Sequence, residues 1–219
     1  LTASDPATFG NPNWLRVAKD KVFEDKDFRL LSNAFLEYEI ISGLTAKTTI
    51  NVQTGNRNIF QFNPSTNGVL FIPPPRIPSG SNNDSRFINW VNENTLSYQK
   101  KIGDGHSIDA LIGFTSQHFR SDQTIASGTN FPDDKIQTVN AARNVLVSSD
   151  IQEWSLLSQL ARINYTYNDK YLVSASIRRD GSSRFGPNNR YGSFPAVSAG
   201  WVLSKEDFWN VAPISFLKV

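Results

Sequence analysis

The chain has 219 residues, a net charge of +2 and scattered basic residues, a distribution that gives nucleic-acid binding no support. Cysteine is absent, which excludes disulfides and thiolate metal sites. No run approaches the roughly 20 apolar residues of a membrane helix, but strands of a membrane barrel need only about 9–11 residues and remain open.

Residues 1–27 are polar and irregular, with Pro6, Gly10 and Pro12, a short helical pattern from Leu15 to Phe23, and the charge cluster Glu24-Asp25-Lys26-Asp27. Alternation of apolar and polar residues, the signature of a half-buried strand, begins at Phe28 and runs to Ile41. Ser42-Gly43 turns the chain, and Leu44 to Val52 alternates again. Residues 54–85 read as a long loop with Pro73-Pro74-Pro75. Strand pattern returns from Arg86 to Lys101 and, after the hairpin signal Gly103-Asp104-Gly105, from His106 to Arg120. A second long loop covers about 121–150. Three further strands are expected, from Ile151 to Tyr167, from Tyr171 to Arg178, and across Val197, Ala199 and Trp201. Ser204-Lys205-Glu206-Asp207 reads as the capped start of a short helix, and Phe216 as the start of another strand.

The connections alternate. Short turns at 42–43, 102–105 and 168–170 separate long ones at 1–27, 54–85 and 121–150, with a middling one at 180–191. Successive antiparallel strands put alternate connections at opposite ends, so long loops collect at one end and short turns at the other, as in outer-membrane barrels. Tyr38, Tyr98, Tyr165, Tyr167, Tyr171 and Trp201 fall near the short-turn end, Trp90 and Trp154 near the long-loop end. Two aromatic bands flanking an aliphatic zone are what two membrane interfaces select. A soluble β-sandwich core is the other reading of the same aromatics.

Signals for catalysis are poor. The two histidines, His106 and His118, stand at opposite ends of one strand, and no metalloprotease, nucleophile-elbow or phosphate-loop motif occurs. Asp133-Asp134 and Glu24-Asp25 match no calcium-loop spacing and read as solvated loop charge. No cofactor is expected. Arg178, Arg179, Asp180, Arg184 and Arg190 concentrate charge around one loop, either as a ligand-contacting rim or as an ion-pair network that fixes the loop, with Gly181 and Gly186 in conformations other residues avoid. The candidate substrate-binding residues are Asn82, Arg120, Asp180 and Arg184, all toward the long-loop end.

Four blocks within about forty residues carry a family resemblance: Arg162-Ile163-Asn164-Tyr165, Asp169-Lys170-Tyr171-Leu172, Arg179-Asp180-Gly181-Ser182-Ser183-Arg184-Phe185-Gly186 and Phe194-Pro195-Ala196-Val197-Ser198-Ala199-Gly200-Trp201. A weaker one is Asn11-Pro12-Asn13-Trp14. In their order and spacing they resemble the SusC/RagA family of TonB-linked outer-membrane receptors. The family's N-terminal plug and TonB-contacting segment have no counterpart. The absence of methionine and an ending in mid-pattern also read as an internal piece of a longer chain.

The expected fold is therefore all-β, a segment of a large antiparallel transmembrane barrel with short periplasmic turns and long extracellular loops. Residues 1–27 are expected as an extracellular loop and 28–219 as about seven strands and the start of an eighth, of a barrel of roughly 22. The resemblance implies a TonB-dependent importer, not an enzyme, for oligosaccharides or peptides. Its implied partners are a SusD-like lid lipoprotein, TonB through the part of the chain that is absent, and outer-membrane lipid. A passive outer-membrane pore and a secreted β-sandwich lectin or adhesin are the alternatives.

Overall fold

The computed structural model describes residues 13–67, 74–211 and 213–219. The expectations placed on residues 1–12, including Asn11-Pro12, and on Pro73 lie outside the described residues. A helix α1 (Trp14–Asp20) precedes seven strands: β1 (Val22–Ile41), β2 (Leu44–Asn63), β3 (Ser79–Ile102), β4 (His106–Thr129), β5 (Asn144–Tyr167), β6 (Tyr171–Ser182) and β7 (Tyr191–Trp201). They form one sheet in chain order, an antiparallel meander.

β1 to β5 are 20 to 24 residues long, and they absorb much of what the sequence marks as loop. The connection expected at 54–85 shrinks to 64–78, and the one expected at 121–150 to 130–143. The physical reason is that the added strand is polar on both faces over long stretches, such as 53–58 and 79–85, and so has no alternation to read there. It is held instead by cross-strand amides: Asn58 donates to Asn82 at 2.8 Å and Gln123 to Asn83 at 3.1 Å. The helix expected after Ser204 is only a 3₁₀ turn, Leu203–Lys205. The strand expected from Phe216 reduces to one bridge, Val202 to Lys218, flanked by reciprocal backbone bonds between Trp201 and Val219 at 2.8 and 2.9 Å.

The contacts divide the chain into two compact units. Among the described residues, the first comprises 13–30, 53–67, 74–88 and 120–153. Its small core is Phe62, Phe131 and Ala142, with Phe62 fully buried and the two rings meeting edge to face at 5.1 Å. Asn13 caps α1, its Oδ1 accepting from the Arg16 amide at 3.1 Å. Ser65 clamps onto Asp134 through its amide and hydroxyl, both at 2.7 Å.

The second unit comprises residues 31–52, 89–119 and 154–219. Its hairpins close on the three expected short turns, with positive φ at Gly43, Gly103, Asn168 and Asp169. Gly43 combines φ +84° with close approach to the Gln99 carbonyl, a place no side chain can enter.

Candidate functional site

In the second unit the strand register sorts the residues into two faces. One face carries Ser158 opposite Asp180, Arg162 opposite Ser176, and Asn164 opposite Ser174 and, beyond it, Ser198. The other carries Ala161 opposite Ile177, Ile163 opposite Ala175 and then Val197, Tyr165 opposite Val173, and Tyr167 opposite Tyr171 and then Trp201. Residues two apart share a face, so a slip of one position would exchange the two chemistries.

The polar face is cross-linked by side chains. Asp109 accepts from Gln99 at 2.8 Å and from Asn164 at 3.0 Å, and Asn164 in turn accepts from the Ser174 hydroxyl at 2.6 Å. Lys47 pairs with Glu37 at 3.1 Å, and Gln117 donates to Asn89 at 3.0 Å. Among these groups lies an open hollow of about 490 Å³, lined by Leu111, Gly113, Leu156 and Leu160 together with Lys47, Glu93, Gln117 and Arg178. A surface of this kind holds water or a polar ligand. Among the described residues no group of three or more potential metal-ligating side chains comes together. Asp134 already spends both oxygens on Ser65.

The apolar face is exposed: Val197 is 79%, Ile112 62% and Ile177 51% accessible. Aromatic rings bound it at the short-turn end. Tyr167 stacks on Tyr171 at 6.2 Å and Tyr171 on Trp201 at 6.3 Å, and the His106 ring lies tilted against Tyr167 at 4.7 Å. Glu206 ties this row together, accepting from Tyr171 at 2.7 Å, Trp201 at 2.9 Å and Lys170 at 3.2 Å. These bonds, that of Trp201 foremost, hold the Glu206 carboxyl below its usual range, and the bond that Lys170 donates to Glu206 raises Lys170. At the other end of the same face Trp90 lies 6.0 Å from His118. Trp154, expected beside Trp90, is instead on the polar face with Leu156 and Ser158. It stacks on Phe119 at 5.3 Å because its position in β5 is even, like theirs.

The four candidate ligand residues divide between the units. Asn82 and Arg120 belong to the first, Asp180 and Arg184 to the second. Asn82 is in the amide ladder of β2 and β3. Arg120 is held by Asp122 at 3.0 Å and Glu153 at 3.1 Å. Asp180 takes the Arg178 guanidinium at 2.8 Å. Arg184 lies 5.0 Å over the Trp154 ring. Each therefore has a structural occupation. Gly181 leaves the space that the Tyr191 ring fills, and Arg179 lies 4.7 Å over that ring. Residue-by-residue reading missed the Phe119–Trp154–Arg184 stack, assembled from β4, β5 and the loop after β6, and the hollow lined from β2 to β6. The one signal available was parity: Phe119 in β4 and Trp154 in β5 fall on the polar phase of their strands.

No family model matches the chain. It is 34% identical over 215 residues, 96% of its length, to a TonB-dependent receptor of Formosa agariphila. It is 35% identical over 133 residues, 57% of its length, to the TonB-dependent receptor SusC of Bacteroides thetaiotaomicron. The chain spans 20% and 12% of these two proteins. Among solved structures it superposes on the RagAB peptide transporter with a TM-score of 0.80 and 25% identity, over 87% of this chain and 21% of that one. These relatives are receptors and transporters rather than enzymes. The meander, its two opposed faces and these likenesses together show that the chain belongs to the SusC/RagA family of TonB-dependent receptors.

Proposed function

We propose that the chain forms part of the wall of a TonB-dependent outer-membrane importer for a nutrient too large for passive pores. The observation that carries this reading is the exposed apolar face of the second unit, bounded by Tyr38, Tyr98, Tyr167, Tyr171 and Trp201 at one end and Trp90 at the other. In water such a continuous apolar surface is a liability; against lipid it is the surface a barrel needs.

The polar face then lines the lumen. Its amides and charges already pair with one another, so it supplies a wetted, fixed wall along which a hydrophilic cargo passes. The 20-residue to 24-residue strands exceed the about 9–11 residues that cross a bilayer. The surplus stands outside the membrane, and the connections at 64–78 and 130–143 are extracellular and meet ligand and lid. The turns at 42–43, 102–105 and 168–170 are periplasmic. The cargo is an oligosaccharide or a peptide and the lid a SusD-like lipoprotein. The RagAB likeness supports the peptide and the SusC likeness supports this type of assembly. In the first unit Asn82 and Arg120, and in the second Asp180 and Arg184, fix the strand ends and loops around them through these contacts. Energy comes from TonB acting on a plug elsewhere in the full receptor. Uptake that disappears without TonB is the test, because a passive pore keeps its flux.

A further inference from the structure

Arg178 and Arg179 leave β6 on opposite faces. Arg178, on the polar face, has a carboxylate, that of Asp180 at 2.8 Å. Arg179, on the apolar face between Gln159 and Ser193, is exposed and has no carboxylate among the described residues. Its guanidinium lies 4.7 Å over the Tyr191 ring instead. Tyr191 stands opposite Gly181, two residues further toward the long-loop end, and its ring occupies the space that the glycine leaves. Arg179 is thereby held toward that end of the sheet. Stacking uses the flat face of the guanidinium and leaves its N–H edge for an anion.

Along β6, Arg179 is eight residues from Tyr171 in the aromatic row. At about 3.3 Å per residue and a tilt of about 35–45°, that is roughly 20 Å across the membrane, against about 25 Å for the apolar band of a barrel. Arg179 therefore stands at the outer margin of the band, where acyl chains end and headgroups begin. On the membrane side of it, Ala110, Ile112, Ala161, Ile163, Ala175 and Val197 line an apolar hollow of about 340 Å³. A charge beside hydrocarbon is costly unless something pairs with it. A phosphate pairs with arginine through two parallel charge-assisted bonds, and Gln159 and Ser193 on either side offer hydrogen bonds to sugar hydroxyls. One kind of molecule meets all three features, with phosphate and sugar at the margin and an acyl chain below. We infer that Arg179 and the hollow beneath it hold a phosphate-bearing glycolipid of the outer leaflet, its phosphate on the guanidinium and one acyl chain along Ala161, Ala175 and Val197. The inference rests on the outer-membrane reading above.

The test uses the full-length receptor, extracted from outer membranes, stripped of lipid in detergent and titrated with lipid A, with binding read by native mass spectrometry. Arg179→Gln is expected to weaken lipid A binding roughly tenfold, the loss of one charge-assisted contact, and Arg179→Lys to restore part of it. Dephosphorylated lipid A should bind the wild type and Arg179→Gln alike. Inorganic phosphate should not compete, since it has no chain for the hollow. Ala175→Phe, which fills the hollow and stays apolar, should weaken both forms of the lipid. In intact cells, p-benzoylphenylalanine in place of Ser193 should capture lipopolysaccharide on irradiation. Equal binding of lipid A by the wild type and Arg179→Gln overturns the inference and leaves the membrane reading standing. Displacement of lipid A by inorganic phosphate overturns it in favour of a site for free phosphate, and capture of a second copy or another protein in place of lipid overturns it in favour of a protein contact. A receptor absent from the outer-membrane fraction overturns both the inference and the membrane reading.

Discussion

The Tyr171 hydroxyl donates to Glu206 at 2.7 Å, and this bond joins the first residue of β6 to the segment that follows β7. The same carboxylate also holds Trp201 and Lys170, so one acid fixes the aromatic row at the short-turn end. Glu206 is depressed from its usual value of 4.5, so its contribution is full above about that pH and is lost as pH falls below it. Lys170 is raised from its usual 10.5, so its contribution is full below that value and is lost as pH climbs past it. The clasp therefore contributes in full from about pH 4.5 to 10.5 and fades outside that window as pH passes the shifted values. Thermal unfolding of the receptor in detergent, compared with Glu206→Ala, should show a gap at neutral pH that narrows progressively as pH falls below 4.5. A gap that does not narrow on acidification would contradict this.

The two faces of β6 make opposite demands. Val173 faces Tyr165 and Ala199 on the apolar side, and Ser174 faces Asn164 and Ser198 on the polar side. Arginine at mid-depth on a lipid face costs about 2–4 kcal/mol, whereas a lumenal arginine meets water. Val173→Arg should cut the heat-modifiable, folded fraction in outer membranes far more than Ser174→Arg. Equal losses would argue that both sides of the sheet are protein core.

In the first unit the loops are packed, not slack. Phe62 is fully buried against Phe131, and truncating such a ring costs about 3–5 kcal/mol. Phe62→Ala should open this region to added protease on intact cells while the barrel remains in the membrane. Replacing Pro64–Asn83 by a Gly/Ser linker is a larger change than a loop deletion, since it removes the Ser65 clamp and the first residues of β3. It should expose the same sites.

Gly181→Ala places a methyl group where the Tyr191 ring lies. Outer-membrane abundance should fall, and Tyr191→Ala in the same chain should recover it. Failure of the second change to help would mean that backbone freedom, not the ring, requires glycine there.

How far the sequence could be read follows from which physics left a trace in it. Where one face meets an apolar medium, as at Tyr171, Val173, Ala175 and Ile177, alternation marks strand, face and turn, and the hairpins at Gly43, Gly103 and Asn168 fall where expected. Where both faces are wet, as at Asn58, Asn82 and Asn83, amides hold the strand and no periodicity survives. Trp154 was misplaced because its residue type, without its parity in β5, points to a membrane belt. The candidate ligand residues stayed out of reach for another reason. Arg120, Asp180 and Arg184 look the same in sequence whether they grip a cargo or, as the contacts here show, their own neighbours Asp122, Arg178 and Trp154.

Sidedness has a direct check. An impermeant maleimide added to intact cells should label Ser81→Cys, near the start of β3, and not Asp104→Cys, in the turn between β3 and β4. The reverse pattern would invert the orientation.

The most direct test of the importer reading is uptake of the native nutrient by cells with and without TonB, with the full-length receptor at matched outer-membrane abundance. Active import predicts uptake that depends on the receptor and falls to background when TonB is deleted. Full uptake in the absence of TonB would contradict it and leave a passive pore.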